Sequence, residues 1–371
     1  MKKAIKIFII LLMVIIVFSF GFILTLHLFE YKPADTTALD IQRSDEINQN
    51  VSLNNPIKII TFNTGYASLS QSEDFVMDGG SKAKMDSKEE VQANINGIQS
   101  ILMNEAADIY LLQEVDTDSK RSYEINQYDI YDDTLEYASA FAYNYRSIFV
   151  PFPLNPSQMM GKVNSGIVTF SSYNITEATR VQLPGSFPWP VRLANLKRAL
   201  LVTRHPIQDS EKELVIINVH LSAYDDGSMR IDELDALQEI ILQEKNQGHF
   251  VLVGGDFNQS FPSALLSYED QETYTYKELY ALNQDDFWEA YPLNPDWYDE
   301  HQFQLIADAL VPTCRLLHQP YDTEVLDNNQ YYLIDGFIAS DNIDVISYRT
   351  LDEHFLYSDH NPVEIIIQLN Q

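Results

Sequence analysis

Residues that move protons or bind cations stand at the ends of several apolar segments of this 371-residue chain. In the stretch HFVLVGGDFNQS, four apolar residues and two glycines lead to Asp256 and Asn258. Other short apolar runs end at Asn63, Glu114 and His220. Strand ends on one edge of a sheet converge in space, and ligands often bind there in α/β folds. If these ends share an edge, carboxylates, amides and imidazoles form one polar site.

The C-terminal part of the chain adds three residues of the same kind. The sequence YSDHN supplies Asp359 and His360 just before the last apolar run, and Asp335 lies inside YYLIDGFIA. Each residue taken alone has a plain structural explanation, such as a turn former, a solvated carboxylate or a structural histidine like His220. The functional interpretation rests on their joint occurrence in this order.

Short apolar runs of strand length recur along the chain and predict the elements that position these residues. They cover residues 57–62, 108–113, 166–170, 199–203, 214–219, 250–255, 331–339 and 362–369. Helical periodicity predicts helices over 88–105 and 230–248, the second ending at Gly248. The apolar faces predicted for them are Val91, Ile95, Ile98, Ile101 and Leu102 in the first, and Ile231, Leu234, Leu237 and Ile241 in the second.

Strands mixed with helices indicate one α/β domain. The long connections 64–87, 116–165 and 259–330 are expected to carry substrate contacts.

Charge and cysteine content narrow the functional classes. The chain has 54 acidic and 24 Lys or Arg residues, a formal net charge of −30. Such a charge argues against a broad basic face that grips nucleic acid, although it permits a local site for one phosphate. The single cysteine, Cys314, excludes an intramolecular disulfide and a cysteine-built metal site.

The N-terminus predicts a membrane anchor. Residues 1–6 are basic and are expected in the cytoplasm, 7–29 are almost wholly apolar, and Glu30 follows. About 20 such residues span a bilayer as a helix, and the flanking charges place the rest of the chain outside. A cleaved signal peptide is the alternative. Residues 30–55 are polar and predict a tether, and 56–371 form the predicted catalytic domain.

Seven motifs of the chain resemble, in order, those of the endonuclease/exonuclease/phosphatase superfamily with the deoxyribonuclease I-like fold. They are IITFNTG, IYLLQEVD, SGIVTFSSYNI, LVIINVHLS, LVGGDFN, YLIDGFIAS and YSDHNPV. The superfamily includes abasic-site endonucleases, neutral sphingomyelinases and inositol polyphosphate 5-phosphatases. The resemblance covers residues 56–371 and implies a four-layer α/β sandwich, with two packed mixed β-sheets flanked by helices. It also implies divalent-metal-dependent cleavage of phosphate esters.

The resemblance assigns a metal site to three of the residues. Glu114 is expected to bind Mg²⁺ or Mn²⁺ through oxygen. Asn63 is expected to help hold the metal or the phosphate. Asp359 completes the metal shell or polarises the water. The number of metal ions stays open.

The resemblance also implies the catalytic roles. Asp256 is expected to deprotonate the attacking water, and Asn258 to donate to a phosphoryl oxygen. Side chains at i and i+2 of an extended segment face the same way, with the intervening Phe257 pointing into the core. His360 and His220 are expected to donate hydrogen bonds to oxygens of the phosphate. Asp335 is expected to hold the imidazole of His360 in position. Arg198 is expected either to contact the phosphate or to be a solvated arginine.

Three functions follow from the sequence. The first is a phosphodiesterase acting on a lipid head group or a small-molecule or envelope phosphate ester outside the membrane. The second is an extracellular deoxyribonuclease I-like endonuclease, which the net charge disfavours. The third is a non-catalytic binding domain. The predicted partners are a phosphate-ester substrate and a membrane bound through the N-terminal helix. The oligomeric state stays open.

Overall fold

A computed structural model describes residues 2–223, 227–264, 288, 290–324 and 329–370. Its α-helices are α1 (Lys2–Leu28), α2 (Lys88–Glu105), α3 (Gln127–Leu135), α4 (Ser228–Asn246) and α5 (Pro295–Glu300). Its strands are β1 (Thr36–Ala38), β2 (Ile41–Gln42), β3 (Ile57–Asn63), β4 (Ile109–Asp116), β5 (Ala138–Val150), β6 (Gly161–Ser171), β7 (Glu177–Gln182), β8 (Ala199–Pro206), β9 (Glu213–His220), β10 (Phe250–Asp256), β11 (Phe303–Ile306), β12 (Cys314–Arg315), β13 (Tyr331–Tyr332), β14 (Asp335–Ser340), β15 (Ile343–Thr350) and β16 (Val363–Leu369).

The described strands form two mixed sheets of seven strands each and one short two-stranded ladder. The first sheet has the order β1-β7-β8-β9-β10-β14-β11, and the second has the order β15-β16-β3-β4-β6-β5-β2. One neighbouring pair in each sheet is parallel, β9 with β10 and β3 with β4. The carboxyl ends of these four strands therefore point toward the same end of their sheets, where the candidate site lies.

The two sheets pack face to face and are covered by helices on their outer faces. Ile59 and Ile109 of the second sheet share a buried cluster with Ile216 and Leu252 of the first. Helices α2 and α3 pack on the outer face of the second sheet, and α4 packs on that of the first. The four-layer α/β sandwich that the sequence predicts is confirmed.

Helix α2 begins and ends where the sequence predicts. Ser87 caps it: its Oγ accepts a hydrogen bond from the Glu90 amide, and the Glu90 carboxylate accepts one from the Ser87 amide. This reciprocal capping box satisfies amides that the first turn of a helix leaves unpaired. The five apolar residues predicted for the buried face are all buried.

One residue of the apolar face predicted for helix α4 is exposed in the structure. Leu237 and Ile241 are buried, but Ile231 is 62% exposed because it lies in the first turn, on the outer side of the helix. Gly248 lies just beyond the C-terminus with φ +82°, a left-handed conformation that favours glycine. The predicted glycine termination is therefore confirmed.

The predicted connection 116–165 is largely regular structure. It contains α3 and the 13-residue β5. The sequence hides β5 because several of its buried positions are small, Ala138, Ala140 and Ala142, so the strand has low hydropathy. The predicted strand 331–339 is instead divided into β13 and β14, since the Ile334 and Asp335 amides donate to the Thr313 hydroxyl between them. Much of 259–330 lies outside the described residues.

Helix α1 is long and apolar enough to cross a membrane. Its most apolar window has a mean hydropathy of 3.3, and it is exposed along nearly its whole length. Its 27 residues correspond to about 40 Å of helix, more than the roughly 30 Å thickness of a bilayer hydrocarbon core. Signal sequences share these properties.

The segment 30–55, predicted as a tether, is packed against the domain. Its strand β1 pairs with β7 of the first sheet, and β2 pairs with β5 of the second. Val51 is fully buried and forms a bridge with Ile207. The prediction of a free tether fails because the polar composition of the segment does not prevent its backbone from hydrogen bonding to the edges of both sheets.

Replacing the α2 cap tests its contribution to stability. We expect Ser87→Ala to lower the free energy of unfolding by about 1 kcal/mol, because amides of the first turn lose their partner. Chemical denaturation measures the change. Ser100→Ala, on the exposed face of the same helix, is the matched control, and an equal loss in both variants contradicts the capping role.

Candidate active site

Polar side chains from both sheets meet at one end of the sandwich. They surround a cavity of about 90 Å³. The predicted site residues that line it are Asn63, Glu114, Arg198, His220, Asp256, Asn258, Asp359 and His360. Asp335 lies behind His360. The structure therefore brings together all nine residues that the sequence singled out.

A hydrogen bond between Asn63 and Asp256 joins the two sheets at this cavity. The Asn63 Nδ2 donates to the Asp256 Oδ2 at 2.9 Å and lies 3.4 Å from the His360 Nε2. The Asn63 Oδ1 accepts a hydrogen bond from the Gly65 amide. Gly65 has φ +52°, and a Cβ there would lie 2.9 Å from an Asp359 carboxylate oxygen. This close approach requires glycine.

Asn258 reaches the cavity by a turn and not by an extended segment. Strand β10 ends at Asp256, and Asn258 has φ +50°. Its backbone N–H donates to the Asp256 Oδ1 at 2.9 Å, and its side-chain Nδ2 donates to the Leu221 carbonyl at 2.8 Å. The i, i+2 argument from the sequence is therefore wrong, although both side chains line the cavity. Phe257 is fully buried in the core, as predicted.

His360 and Asp335 form a buried pair. The His360 Nδ1 lies 2.8 Å from the Asp335 Oδ2. Burial disfavours the imidazolium, but the charge of Asp335 outweighs it and raises the pKa of His360 well above its usual value. His360 is therefore a cation with its Nε2 turned toward Asn63 and Asp256.

Two carboxyl groups of the site have raised pKa values. Burial, assisted by the charge of Asp335, raises the pKa of Asp256 to about 6. Burial, assisted by Glu114, raises the pKa of Asp359 to about 7. The pKa values of both groups are therefore close to neutral pH, which suits acid–base catalysis.

His220 has the opposite protonation preference. Its Nε2 lies 3.4 Å from the Asp256 Oδ2 and 3.9 Å from the Glu114 Oε1. Burial and the nearby charges of Arg198 and His360 lower the pKa of His220 well below its usual value. His220 is therefore neutral, and one of its ring nitrogens carries the proton.

Glu114 projects into the cavity from a bulge in β4. The register between β4 and β6 shifts between Leu112 and Val115, and Glu114 has φ +57°. Its Oε2 is buried and has no hydrogen-bond partner within the described part of the chain, and burial raises its pKa. A buried acceptor without a donor is costly, which is the situation a bound cation relieves.

Two arginines flank this acidic group. Arg198 is half-buried, lines the cavity, and burial lowers its pKa. Arg121 is buried, pairs with Asp116 through two hydrogen bonds, and stacks 3.6 Å from the centre of the Tyr66 ring. Arg121, Asp116 and Tyr66 are not among the nine residues that the sequence singled out for the site, although Asp116 is the last residue of the motif IYLLQEVD.

A sequence profile of the Endonuclease/Exonuclease/phosphatase family matches residues 91–360. The chain belongs to this family. No curated protein matches the chain in sequence.

Solved structures show the same fold. An endonuclease/exonuclease/phosphatase from Beutenbergia cavernae is 16% identical, with a TM-score of 0.55 over 85% of this chain and 72% of that one. ANGEL2, a 2′,3′-cyclic phosphatase solved with adenosine-2′,3′-vanadate, is 14% identical, with a TM-score of 0.53 over 92% of this chain and 100% of that one. A family protein from Bacteroides thetaiotaomicron is 13% identical, with a TM-score of 0.50 over 84% and 98%.

Endonuclease/Exonuclease/phosphatase proteins are generally hydrolases of phosphate esters and generally use a divalent metal. The donor set of this chain fits such an ion. Glu114 offers an unpartnered carboxylate oxygen, and Asp359 is a second buried carboxyl group at the same cavity. Oxygen donors of this kind suit hard cations. The chain therefore has a candidate divalent-metal site.

Metal binding should stabilise the protein more at high pH. Asp256 and Asp359 have raised pKa values, so the folded state without metal binds more protons than the unfolded state between about pH 4 and pH 7, and its stability falls as pH rises through this window. A divalent cation competes with those protons. We expect Mg²⁺ or Mn²⁺ to raise Tm more at about pH 8 than at about pH 5.

Differential scanning fluorimetry with and without a chelator measures this shift. Glu114→Gln should reduce the metal-dependent increase in Tm, whereas Glu124→Gln, at an exposed site, should retain it. An equal increase in both variants contradicts the assignment of Glu114 as a ligand.

The Asp335–His360 pair predicts a change in the pH profile. Asp335→Asn removes the charge that keeps His360 protonated, so the alkaline limb of the kcat profile should move to lower pH. We expect kcat at neutral pH to fall by roughly 10²-fold. Asp352→Asn is the matched control, since Asp352 pairs with the exposed His354 at 3.2 Å. An unchanged alkaline limb in Asp335→Asn contradicts this role.

Proposed function

We propose that the chain is a divalent-metal-dependent phosphoesterase that hydrolyses a phosphodiester outside the membrane. The observation that carries the proposal is the arrangement around Asp256. A carboxyl group with a pKa of about 6 lies between a cationic His360 and a neutral His220. Beside it, one carboxylate oxygen of Glu114 has no hydrogen-bond partner among the described residues. A general base, a hydrogen-bond donor to the phosphate and a cation ligand therefore face one cavity.

The reaction that suits this arrangement is in-line attack by water. Asp256 accepts a proton from the water as its oxygen forms a bond to phosphorus. The bond to the leaving oxygen breaks as the new bond forms, and that oxygen takes up a proton from the solvent, to which Asp256 returns the proton it accepted. The Nε2 of His360 donates a hydrogen bond to a phosphoryl oxygen and stabilises the charge that grows there. Asp335 holds the other ring nitrogen of His360 and fixes its orientation.

The remaining residues bind the ester and the cation. Glu114 and Asp359 would hold the divalent cation, with Asn63 beside them. The chemistry that such a cation supplies is neutralisation of phosphoryl charge. His220, Asn258 and Arg198 line the cavity. His220 and Asn258 would donate hydrogen bonds to the phosphate, and Arg198 would add a positive charge.

The ester is proposed to be a phosphodiester of a lipid head group or a small molecule. The net charge of −30 disfavours long-range attraction of DNA, which supports this choice over a nuclease. ANGEL2, which has a similar fold, is a 2′,3′-cyclic phosphatase, and a 2′,3′-cyclic phosphate is a phosphodiester.

The site is proposed to face the outside of the cell membrane. Lys2, Lys3 and Lys6 precede the apolar part of α1, and Glu30 follows it. Positive charge is retained on the cytoplasmic side, so the domain after α1 would be exported while α1 remains as a single-pass anchor.

Side-by-side assays of the full-length chain in detergent micelles with Mg²⁺ or Mn²⁺ test the function. The substrates are bis-p-nitrophenyl phosphate, p-nitrophenyl phosphate, sphingomyelin and plasmid DNA. We expect turnover of the diester, with loss of roughly 10³-fold in Asp256→Asn and 10²-fold or more in His360→Gln.

Matched variants keep this test specific. Asp352→Asn and His354→Gln replace the same residue types at an exposed pair and should retain activity. Cleavage of DNA without turnover of the other esters would make the protein a nuclease. No turnover of any ester, with metal binding retained, would contradict the proposed function.

A further inference from the structure

A large apolar cavity adjoins the catalytic cavity. Its volume is about 630 Å³, within the range of sites for small organic ligands. Glu114, Arg198 and His220 line both cavities, so the two are adjacent. Away from these residues the walls are mostly apolar side chains, among them Leu69, Phe75, Val150, Met160 and Leu193. Hydrolysis of the phosphodiester group itself does not require this apolar extension.

The end of helix α1 forms one wall of this cavity. Phe22, Ile23 and Leu26 line it, and Leu26 is buried although most of the helix is exposed. The Phe22 ring packs edge-to-face on Phe149, with ring centres 5.9 Å apart. The helix that is able to cross a membrane therefore also contributes to the pocket.

Charged contacts hold this end of α1 on the domain. The Glu30 carboxylate, two residues beyond the helix, lies 3.3 Å from the Lys197 Nζ and 3.6 Å from the Arg192 Nε. Arg192 belongs to the turn that supplies Leu193 to the cavity wall, and Lys197 follows that turn. The contact between helix and pocket is thus supported by a buried acidic side chain, 4% exposed, that pairs with these two basic residues of the domain.

Exposed apolar residues surround the cavity on the same side. Phe152 and Val191 line it and are 38% and 51% exposed. Leu154 and Trp189, in the same two loops, are 85% and 60% exposed. Exposed tryptophan and aliphatic side chains next to a membrane helix are typical of surfaces that contact the lipid interface.

The polar end of the cavity is suited to an anionic group. The Nε of Arg198 is buried and has no hydrogen-bond partner among the described residues. Arg121 also lines the cavity, although its charge is paired with Asp116. A ligand with a phosphate at this end and an apolar chain along the walls would match both the charge and the polarity of the pocket.

We infer that this cavity binds the acyl chain of a membrane phospholipid, and that the last two turns of α1 are part of the substrate site. The inference rests on the proposed function and specifies its substrate class. The phosphodiester of the lipid lies at Glu114, His220 and Arg198, and its tail lies between α1 and the loops that carry Phe152 and Val191. The anchor helix thus delivers the site to its substrate and completes it.

Binding of matched ligands tests the inference without catalysis. The full-length Asp256→Asn protein in nanodiscs is titrated with palmitoyl-lysophosphatidylglycerol and palmitoyl-lysophosphatidylcholine, and with glycerophosphoglycerol and glycerophosphocholine, which have no tail. We expect at least one tailed ligand to bind 10-fold or more tightly than the tail-free ligands. The same nanodiscs with an unrelated single-helix protein correct for partition into the bilayer.

Two variants place bulk in the pocket. Ile23→Trp, on α1, and Val191→Trp, on an exposed turn, should each weaken the tail-dependent binding at least 10-fold. Leu24→Trp adds the same bulk at a neighbouring position of α1 that does not line the cavity, and should not change it. Circular dichroism and Tm confirm that each variant is folded.

The outcomes separate this inference from the proposed function. Turnover of bis-p-nitrophenyl phosphate with no tail-dependent binding, or with equal effects of Ile23→Trp and Leu24→Trp, overturns the inference and leaves the phosphoesterase standing. Tail-dependent binding that Ile23→Trp abolishes, without turnover of any ester by the wild-type protein, supports the lipid site and contradicts the proposed hydrolysis.

Discussion

The structure depends on placing four carboxyl groups, three buried and one partly buried, at the end of the sandwich where the strands of its two sheets meet. Glu114, Asp256, Asp335 and Asp359 share a space with two imidazoles, and burial of unpaired charges is costly. The chain meets this cost with hydrogen bonds from Asn63 and the Asn258 amide, and with the cationic His360. Two carboxylate oxygens of this group have no hydrogen-bond partner among the described residues, the Glu114 Oε2 and the Asp335 Oδ1. Glu114 lines the cavity, where a cation would satisfy its free oxygen.

The two sheets must stay in register for this cluster to form. Deep between them, the Gln113 Nε2 of β4 donates to the Asn218 Oδ1 of β9 at 2.8 Å, and Asn218 in turn donates to the Leu112 and Val168 carbonyls. This buried polar link holds β4 against β9 one residue before Glu114 and two residues before His220. The same strands that build the core therefore set the separation of these two candidate site residues.

The sequence revealed the site because its residues follow strongly apolar strands. The change from an apolar run to polar residues locates the end of each strand. Glu114, His220 and Asp256 lie at or near the ends of three different strands. Local periodicity contains no information on backbone turns, so the left-handed conformation of Asn258 was not foreseen. Nor does it show which distant segments pack together, and so the burial of Arg121 and the pairing of 30–55 with both sheets emerged only in three dimensions. The apolar cavity was hidden for the same reason, since its wall combines α1 with loops more than 100 residues away.

The pairing of the segment after α1 has a consequence for how the enzyme would search for substrate. If residues 30–55 were a flexible chain, its root-mean-square end-to-end distance would be about 28 Å. The domain could then move over that distance relative to the bilayer. Strands β1 and β2 instead join this segment to the outer strands of both sheets, so the pocket stays at a fixed height beside the helix. Encounters would then be two-dimensional. The rate would follow the mole fraction of substrate within the leaflet, and inert lipid would slow it by surface dilution.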